Sequence, residues 1–515
     1  MSRWIRSSRT VPIGPWLCLL AIAALGSAAL GSGTLQAGSS ELRVGLAEID
    51  ISPPADYPMM GCHLAPRKGT GTKDPLKAKA IYLHDGSIET AIVFCDLGGI
   101  AIDLTTEVRQ KASAATGLKK DNILLVATQC RNAPDYSNEL WHELASDSNL
   151  THIDGKPPAY VLGLIEKISA VIAEAKKKAA PSQVRAGRAL QKKPVSFSRR
   201  IVLRDGSVRS GGTLKDPLAV KVAGPIDPEI AMIAVKPLSG DAPLGVLSNF
   251  SLHANTQEGT EFSPDFPGQM AQMLRKSLGE QTISLFGVGC CGDLNYLDPE
   301  GALENSTSSI GTSLASTIGD GLGSLTELKD QRIRVRSHIV NMPIYEVNPV
   351  EAMKAGQQLW SVRLGDKLDF LDHVAAYRMV MLDQFHFDHP YVESHKHLKC
   401  GLSRTWKGVG ETFPVKIHLV TIGSEVAMIF LPGEVFVELG LSIKRGSPFP
   451  TTMVVQMAHA CETSTVPTRA AYAQGGIEVS GALLKPGAGE RLVEATLGMI
   501  REVAKEVLVA EKAAP

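Results

Sequence analysis

The chain has 515 residues, 44% of them hydrophobic, and its 53 Lys and Arg balance its 53 Asp and Glu to a formal net charge of zero. That length supports a large core without disulfide staples. The charge balance leaves no basic stripe to follow a phosphate backbone, which excludes nucleic acid as a partner class.

The first residues carry Arg3, Arg6 and Arg9 and no acid, then an apolar run from Trp16 to Leu30, then small residues up to Leu35-Gln36-Ala37. This is the layout of a secretory signal peptide. The run is interrupted by Gly26 and is short for a hydrocarbon core of about 30 Å, so no stable membrane span is expected after cleavage. Cys18 lies inside the run rather than at its end, where an acylated cysteine would stand. Residues 1–37 are therefore expected to be a signal peptide and residues 38–512 one large domain, exported to the periplasm or the extracellular space. Beyond the signal lie Cys62, Cys95, Cys130, Cys290, Cys291, Cys400 and Cys461. With no C-x-x-C pair among them, at most one or two disulfides are expected.

Short β-branched runs followed by turn residues predict strands at Lys79 to Leu83, Thr90 to Cys95, Asn122 to Thr128, Met232 to Val235 and Gly245 to Leu252. Amphipathic stretches predict helices at Pro158 to Lys178, Pro267 to Leu278 and Gly489 to Ala510. Strands alternating with helices indicate a mixed α/β architecture with at least one parallel segment. The expectation is one large catalytic-type domain of several strand-helix units, with no C-terminal β-sandwich. Its long loops, Ile51 to Pro75, Ala133 to Pro157 and Arg204 to Pro228, are the kind that carry function.

Four apolar strands run directly into polar residues, the position where α/β sheets hold ligands. Leu124 to Thr128 enters Gln129-Cys130-Arg131-Asn132-Ala133-Pro134. Gly245 to Leu252 enters His253-Ala254-Asn255-Thr256, with Asp265 before the next helix. Ile283 to Val288 enters Gly289-Cys290-Cys291-Gly292-Asp293-Leu294-Asn295, a turn whose backbone N–H groups could cradle an oxyanion. Ile429 to Leu431 turns through Pro432-Gly433 into Glu434, which could equally cap a helix. His386, His389, His395 and His397 stand among Asp383, Asp388 and Glu393. Read as a strand, His395 and His397 would share a face and could ligate a metal; the alternative is a solvated lid loop.

Taken in order, Val44 to Pro54 with Met59-Met60-Gly61, Asp74-Pro75-Leu76, the strand to His253, the Gly292-Asp293 turn and Leu431-Pro432-Gly433-Glu434 resemble the neutral (non-lysosomal) ceramidases, over roughly residues 42–507. The resemblance implies an exported hydrolase that cleaves the amide of an N-acyl sphingoid or another lipid-like substrate. It also implies a zinc ion held by two histidines, a glutamate and a tyrosine, activating water and stabilising the oxyanion.

Within that resemblance His253 and Glu434 match metal ligands, and Asp293, Asn295 and Arg199 fall on the catalytic elements. The departures are specific. Gln129 and Arg131 stand where the family has histidines, Thr465 where it has the zinc tyrosine, Asn295 where it has a serine, and Ile477 where it has a second tyrosine. At an effective dielectric of about 20, a guanidinium about 4 Å from a dication opposes its binding by roughly 8 kcal/mol.

Two readings follow. One is a hydrolase whose zinc uses His253, Glu434 and replacement donors such as Cys130 or His63. The other is a non-catalytic binding protein in which Arg131 supplies the metal's charge, pairs with Glu434, and shares the pocket with Gln129, Asp265 and Thr465.

Overall fold

The structure, a computed structural model, describes residues 41–60, 67–144, 159–240, 242–398 and 401–512. The signal peptide, His63, Cys62 and Cys400 lie outside these residues.

Two sheets dominate. The larger runs, from edge to edge, Ile283–Val288, Gly245–Phe250, Glu229–Pro237, Ala180–Leu190, Arg43–Asp50, Lys77–His84, Glu89–Cys95 and Ile123–Ala127, with Thr326–Glu327 added beside Ala180–Leu190. Its inner pairs are antiparallel, but both edges are parallel: Gly245–Phe250 with Ile283–Val288, and Glu89–Cys95 with Ile123–Ala127. The smaller sheet runs Ile333–Pro343, Thr412–Ile422, Val426–Phe430 and Thr451–Val455, and its last pair is also parallel.

Alternation along the strands explains the layering. In Glu89–Cys95, Ala91, Val93 and Cys95 join one core cluster while Ile92 and Phe94 join another. A strand apolar on both faces must be covered on both. One face of the large sheet packs on helices Ile102–Thr116, Tyr160–Lys177, Phe266–Leu278 and Thr307–Gly321. The other meets the small sheet, where Ile81, Ile92, Val184, Ile233 and Leu247 face Ile422, Met428 and Val455. The far face of the small sheet is covered by helices Pro349–Leu364, Phe370–His386, Val437–Gly446 and Ala488–Lys512. The result is four layers, helices on sheet on sheet on helices, within one compact unit.

The predicted strands and helices all occur, with boundaries shifted by a few residues. The loop at 204–228 is not irregular throughout, since Val208–Ser210 and Ala219–Val222 flank Arg200–Leu203 in a three-stranded sheet. The segment around His395 is a helical turn, Ser394–His397, rather than a strand. His386 ends the long helix Phe370–His386 and bonds the Tyr345 carbonyl at 2.7 Å, while His397 packs edge-on to Trp360 and His395 edge-on to His142. These histidines are spent on separate contacts. Cys95, Cys130, Cys290 and Cys291 are free, buried thiols. Among the described residues no helix is long and apolar enough to cross a membrane.

Candidate functional site

The parallel edges decide where chemistry can be placed, because parallel neighbours end on the same side. Strands Ile123–Ala127, Gly245–Phe250, Ile283–Val288, Val426–Phe430 and Thr451–Val455 each run into a polar segment. Bridges between Val126 and Ala458 and between Gly289 and Val455 tie these segments together. Between the sheets, Asn249 donates its side-chain N–H to the carbonyls of Gly287 (2.9 Å) and Val454 (3.2 Å).

His253 follows Phe250 on its strand and is 3% exposed. Its Nδ1 lies 2.9 Å from the Leu294 carbonyl and its Nε2 3.3 Å from Glu434 Oε2. A neutral imidazole donates through one nitrogen only. The shorter contact to a carbonyl assigns that proton to Nδ1, so a neutral ring turns the Nε2 lone pair toward the carboxylate. Burial depresses the His253 pKa, with Arg199 and Arg131 pushing the same way and Glu434 opposing.

Glu434 reaches the site because Gly433 takes φ +71° and the chain reverses there. The backbone then pairs with Thr465, register Glu434↔Thr465, so Thr465 stands beside it. Gly292 also passes so near that a Cβ there would meet the Glu434 carbonyl at 2.5 Å. Arg131 Nη2 is 3.6 Å from Glu434 Oε1, with the two side chains 31% and 21% exposed. Burial alone would raise the Glu434 pKa. A hydrogen bond from His253 when its ring is charged, together with the charges of Arg131 and Arg199, overcomes it and holds the carboxyl well below the usual range.

The other predicted site residues divide. Gln129, with φ +62°, is inside the cluster: its Oε1 accepts from Gln456 Nε2 at 2.8 Å, with Cys291 Sγ at 3.6 Å. Arg199 is also present, donating Nη2 to the Gly292 carbonyl and Nε to Glu478, both at 2.7 Å.

Asp293 is engaged structurally. Its Oδ1 accepts the Val437 N–H at the start of helix Val437–Gly446, and burial pushes its pKa up to about 6. Asn295 Oδ1 closes its own turn by accepting from Leu297 N–H at 3.1 Å. Asp265 caps a helix: its carboxylate accepts from the N–H groups of Thr256, Gln257 and Phe266 and the Thr256 hydroxyl. Cys130 is fully buried, with its thiol pKa raised by burial and by the carboxylates of Asp96 and Asp265.

Two residues carry the site without having been read from the sequence. Gln456 is fully buried and contacts three of the convergent segments, accepting from Cys291 N–H (3.2 Å) and Val435 N–H (2.8 Å) while donating to Gln129. Glu478 is fully buried and takes Arg199, Arg200 and Ser210 at once. The signal for Gln456 was the one used for the others, a polar residue directly after an apolar strand. Glu478 had no local signal.

Among the described residues the donor set does not fit zinc. His253 and Glu434 are two donors where a structural or catalytic site needs three or four. Arg131 is ion-paired to one of them. No group of three or more His, Cys, Asp and Glu able to hold a metal occurs among the described residues.

No protein-family model matches this sequence, and no curated protein matches it. Solved structures do. The crystal structure of neutral ceramidase from Pseudomonas aeruginosa aligns at TM-score 0.65 and 19% identity, over 90% of this chain and 75% of that one. A ceramidase complexed with C2 aligns at TM-score 0.66 and 18% identity, over 90% and 76%. At this identity the likeness speaks for the architecture, and over nine-tenths of its length this chain has the neutral-ceramidase fold.

Proposed function

We propose that this is an exported protein that binds an N-acyl or other lipid-like ligand where the ceramidase fold carries its centre, and that it does so without zinc. The observation supporting this reading is the Arg131–Glu434 contact at 3.6 Å. A permanent cation there supplies the positive charge that a metal would otherwise bring to Glu434, and a guanidinium keeps that charge at any working pH. His253, Glu434, Gln129, Arg131 and Thr465 are the proposed pocket, with Arg199 held beside it.

A second reading is hydrolysis of the ligand's amide. It is favoured by His253, whose Nδ1 is held by the Leu294 carbonyl and whose Nε2 faces Glu434. A carbonyl-anchored Nδ1 is how proteins orient a histidine to offer Nε2 to a cation or a proton.

One experiment separates them. A fluorescent N-acyl sphingoid is titrated into the purified chain with and without a chelator, and amide cleavage is followed by chromatography. The expected result is saturable binding that the chelator leaves unchanged, no cleavage above buffer, and about tenfold weaker binding for Arg131→Gln, the size of one charged contact. Cleavage that the chelator abolishes overturns this proposal in favour of the second reading.

A further inference from the structure

Gln456 fixes the polarity of the pocket through a relay of amide orientations. Its Oε1 receives two backbone N–H groups, from Cys291 at 3.2 Å and Val435 at 2.8 Å. Only an oxygen can accept both, so the Gln456 amide cannot be turned over. Its Nε2 is therefore committed to the far side, where it donates to Gln129 Oε1 at 2.8 Å and reaches Cys291 Sγ at 3.2 Å. That in turn fixes Gln129 with its oxygen toward Gln456. The leftover atom is Gln129 Nε2, buried and without a hydrogen-bond partner among the described residues, on a residue 1% exposed.

Such a donor normally has an acceptor in a folded protein. Two residues further on, the Arg131 guanidinium makes no hydrogen bond to any described residue and only its 3.6 Å ionic contact with Glu434. A guanidinium has five N–H donors. The 129–131 segment thus presents side-chain donors and no free side-chain acceptor. Glu434 is answered by positive charge from both Arg131 and Arg199, so an added anion does not meet an unopposed carboxylate.

We propose that Gln129 Nε2 and the Arg131 guanidinium together bind the carboxylate of an acyl-chain ligand, with Gln456 acting as a positioning residue that decides which face of the Gln129 amide is offered. This rests on the ligand-binding reading above and names its ligand class.

The test titrates dodecanoate and dodecanamide separately into the purified full chain by calorimetry, without added metal. The two share a chain and differ in the head group. Wild type is expected to bind dodecanoate about tenfold tighter than the amide, the size of one charge-assisted hydrogen bond, and Arg131→Gln to remove that preference.

Gln456→Glu is the decisive variant. The new carboxylate still accepts from Cys291 and Val435 but has no hydrogen to give Gln129, whose amide then turns to donate and leaves its oxygen facing the ligand. The preference should move toward dodecanamide. Gln129→Leu, which leaves Gln456 untouched, should weaken dodecanoate about fivefold and the amide less, and a thermal melt of each variant confirms folding.

Equal affinities in wild type, or tighter binding of the amide, overturn the inference while leaving the binding reading intact. An unchanged preference in both folded variants, Gln456→Glu and Gln129→Leu, overturns it too. If neither ligand binds and an N-acyl sphingoid does not bind either, both readings fall.

Discussion

Glu434 and His253 show how one guanidinium alters a site. Without Arg131, a largely buried carboxylate facing an imidazole lone pair would call for a proton or a cation between them; with it, the carboxylate's second oxygen has a fixed partner at 3.6 Å.

A second buried cluster gives a pH test at the same scale. His418 and His459 pack at 4.3 Å between ring centres, each with Arg109 Nη2 3.3 Å from a ring nitrogen, while Lys416 and Asp121 stand near. Burial first, then the Arg109 and Lys416 charges, depress the His418 pKa to about 3, with Asp121 opposing. The unfolded chain, near 6.5, then binds a proton that the folded chain refuses, so stability falls as pH drops from about 6.5 toward 3. His418→Gln keeps an acceptor for Arg109 and removes the titration. In urea melts the wild type should lose about 1.4 kcal/mol more than the variant per pH unit across that window, and parallel curves would show that the ring is not buried and neutral.

At this scale the sequence showed His253, Glu434, Gln129 and Arg131, because each directly follows an apolar strand. Glu478 was invisible, because its meaning depends on Arg199 and Arg200, almost 280 residues earlier in the chain.

Among the elements, the helix Phe266–Leu278 depends on the residue that caps it. Asp265 sits at φ +61° and its carboxylate accepts four bonds, three from backbone N–H groups. Asp265→Ala removes the cap, strands the backbone N–H groups of Thr256 and Gln257, and keeps a Cβ in the left-handed region. A loss of about 2–4 kcal/mol is expected in denaturant melts, and a loss below 0.5 kcal/mol would mean that the cap is dispensable.

Helix Tyr160–Lys177 was legible because Ile165, Ile168 and Ile172 line one buried face, although Leu162, at the same helical spacing, is exposed. Helix Phe370–His386 was not read because it buries residues all around, from His373 and Val374 through Tyr377 to Asp383, Gln384 and Phe385, leaving no single stripe. In Pro349–Leu364 the apolar Val350, Met353, Trp360 and Leu364 lie on the exposed side, which blurs the pattern from the other direction. The strands were easier to find, since a strand buried on both faces reads as an unbroken apolar run.

For the whole molecule, the composition and the alternation of elements gave a mixed α/β fold, and the motif order gave its likeness to the neutral ceramidases. The face-to-face arrangement of two sheets was not readable. It depends on pairings such as Arg43–Asp50 with Lys77–His84 and Glu229–Pro237 with Ala180–Leu190, whose register no local pattern encodes. That arrangement is what brings five strand ends together, and it places Arg131 from one sheet edge against Glu434 from the other sheet.

At that meeting point we propose that a guanidinium stands in for a metal. Elemental analysis of the purified chain after equilibration with zinc and desalting tests it most directly. Well under one zinc per wild-type chain is expected, with measurable bound zinc when Gln129→His, Arg131→His and Thr465→Tyr are combined and less for Arg131→His alone. One firmly held zinc per unmodified chain, removable by a chelator with loss of amidase activity, would contradict it.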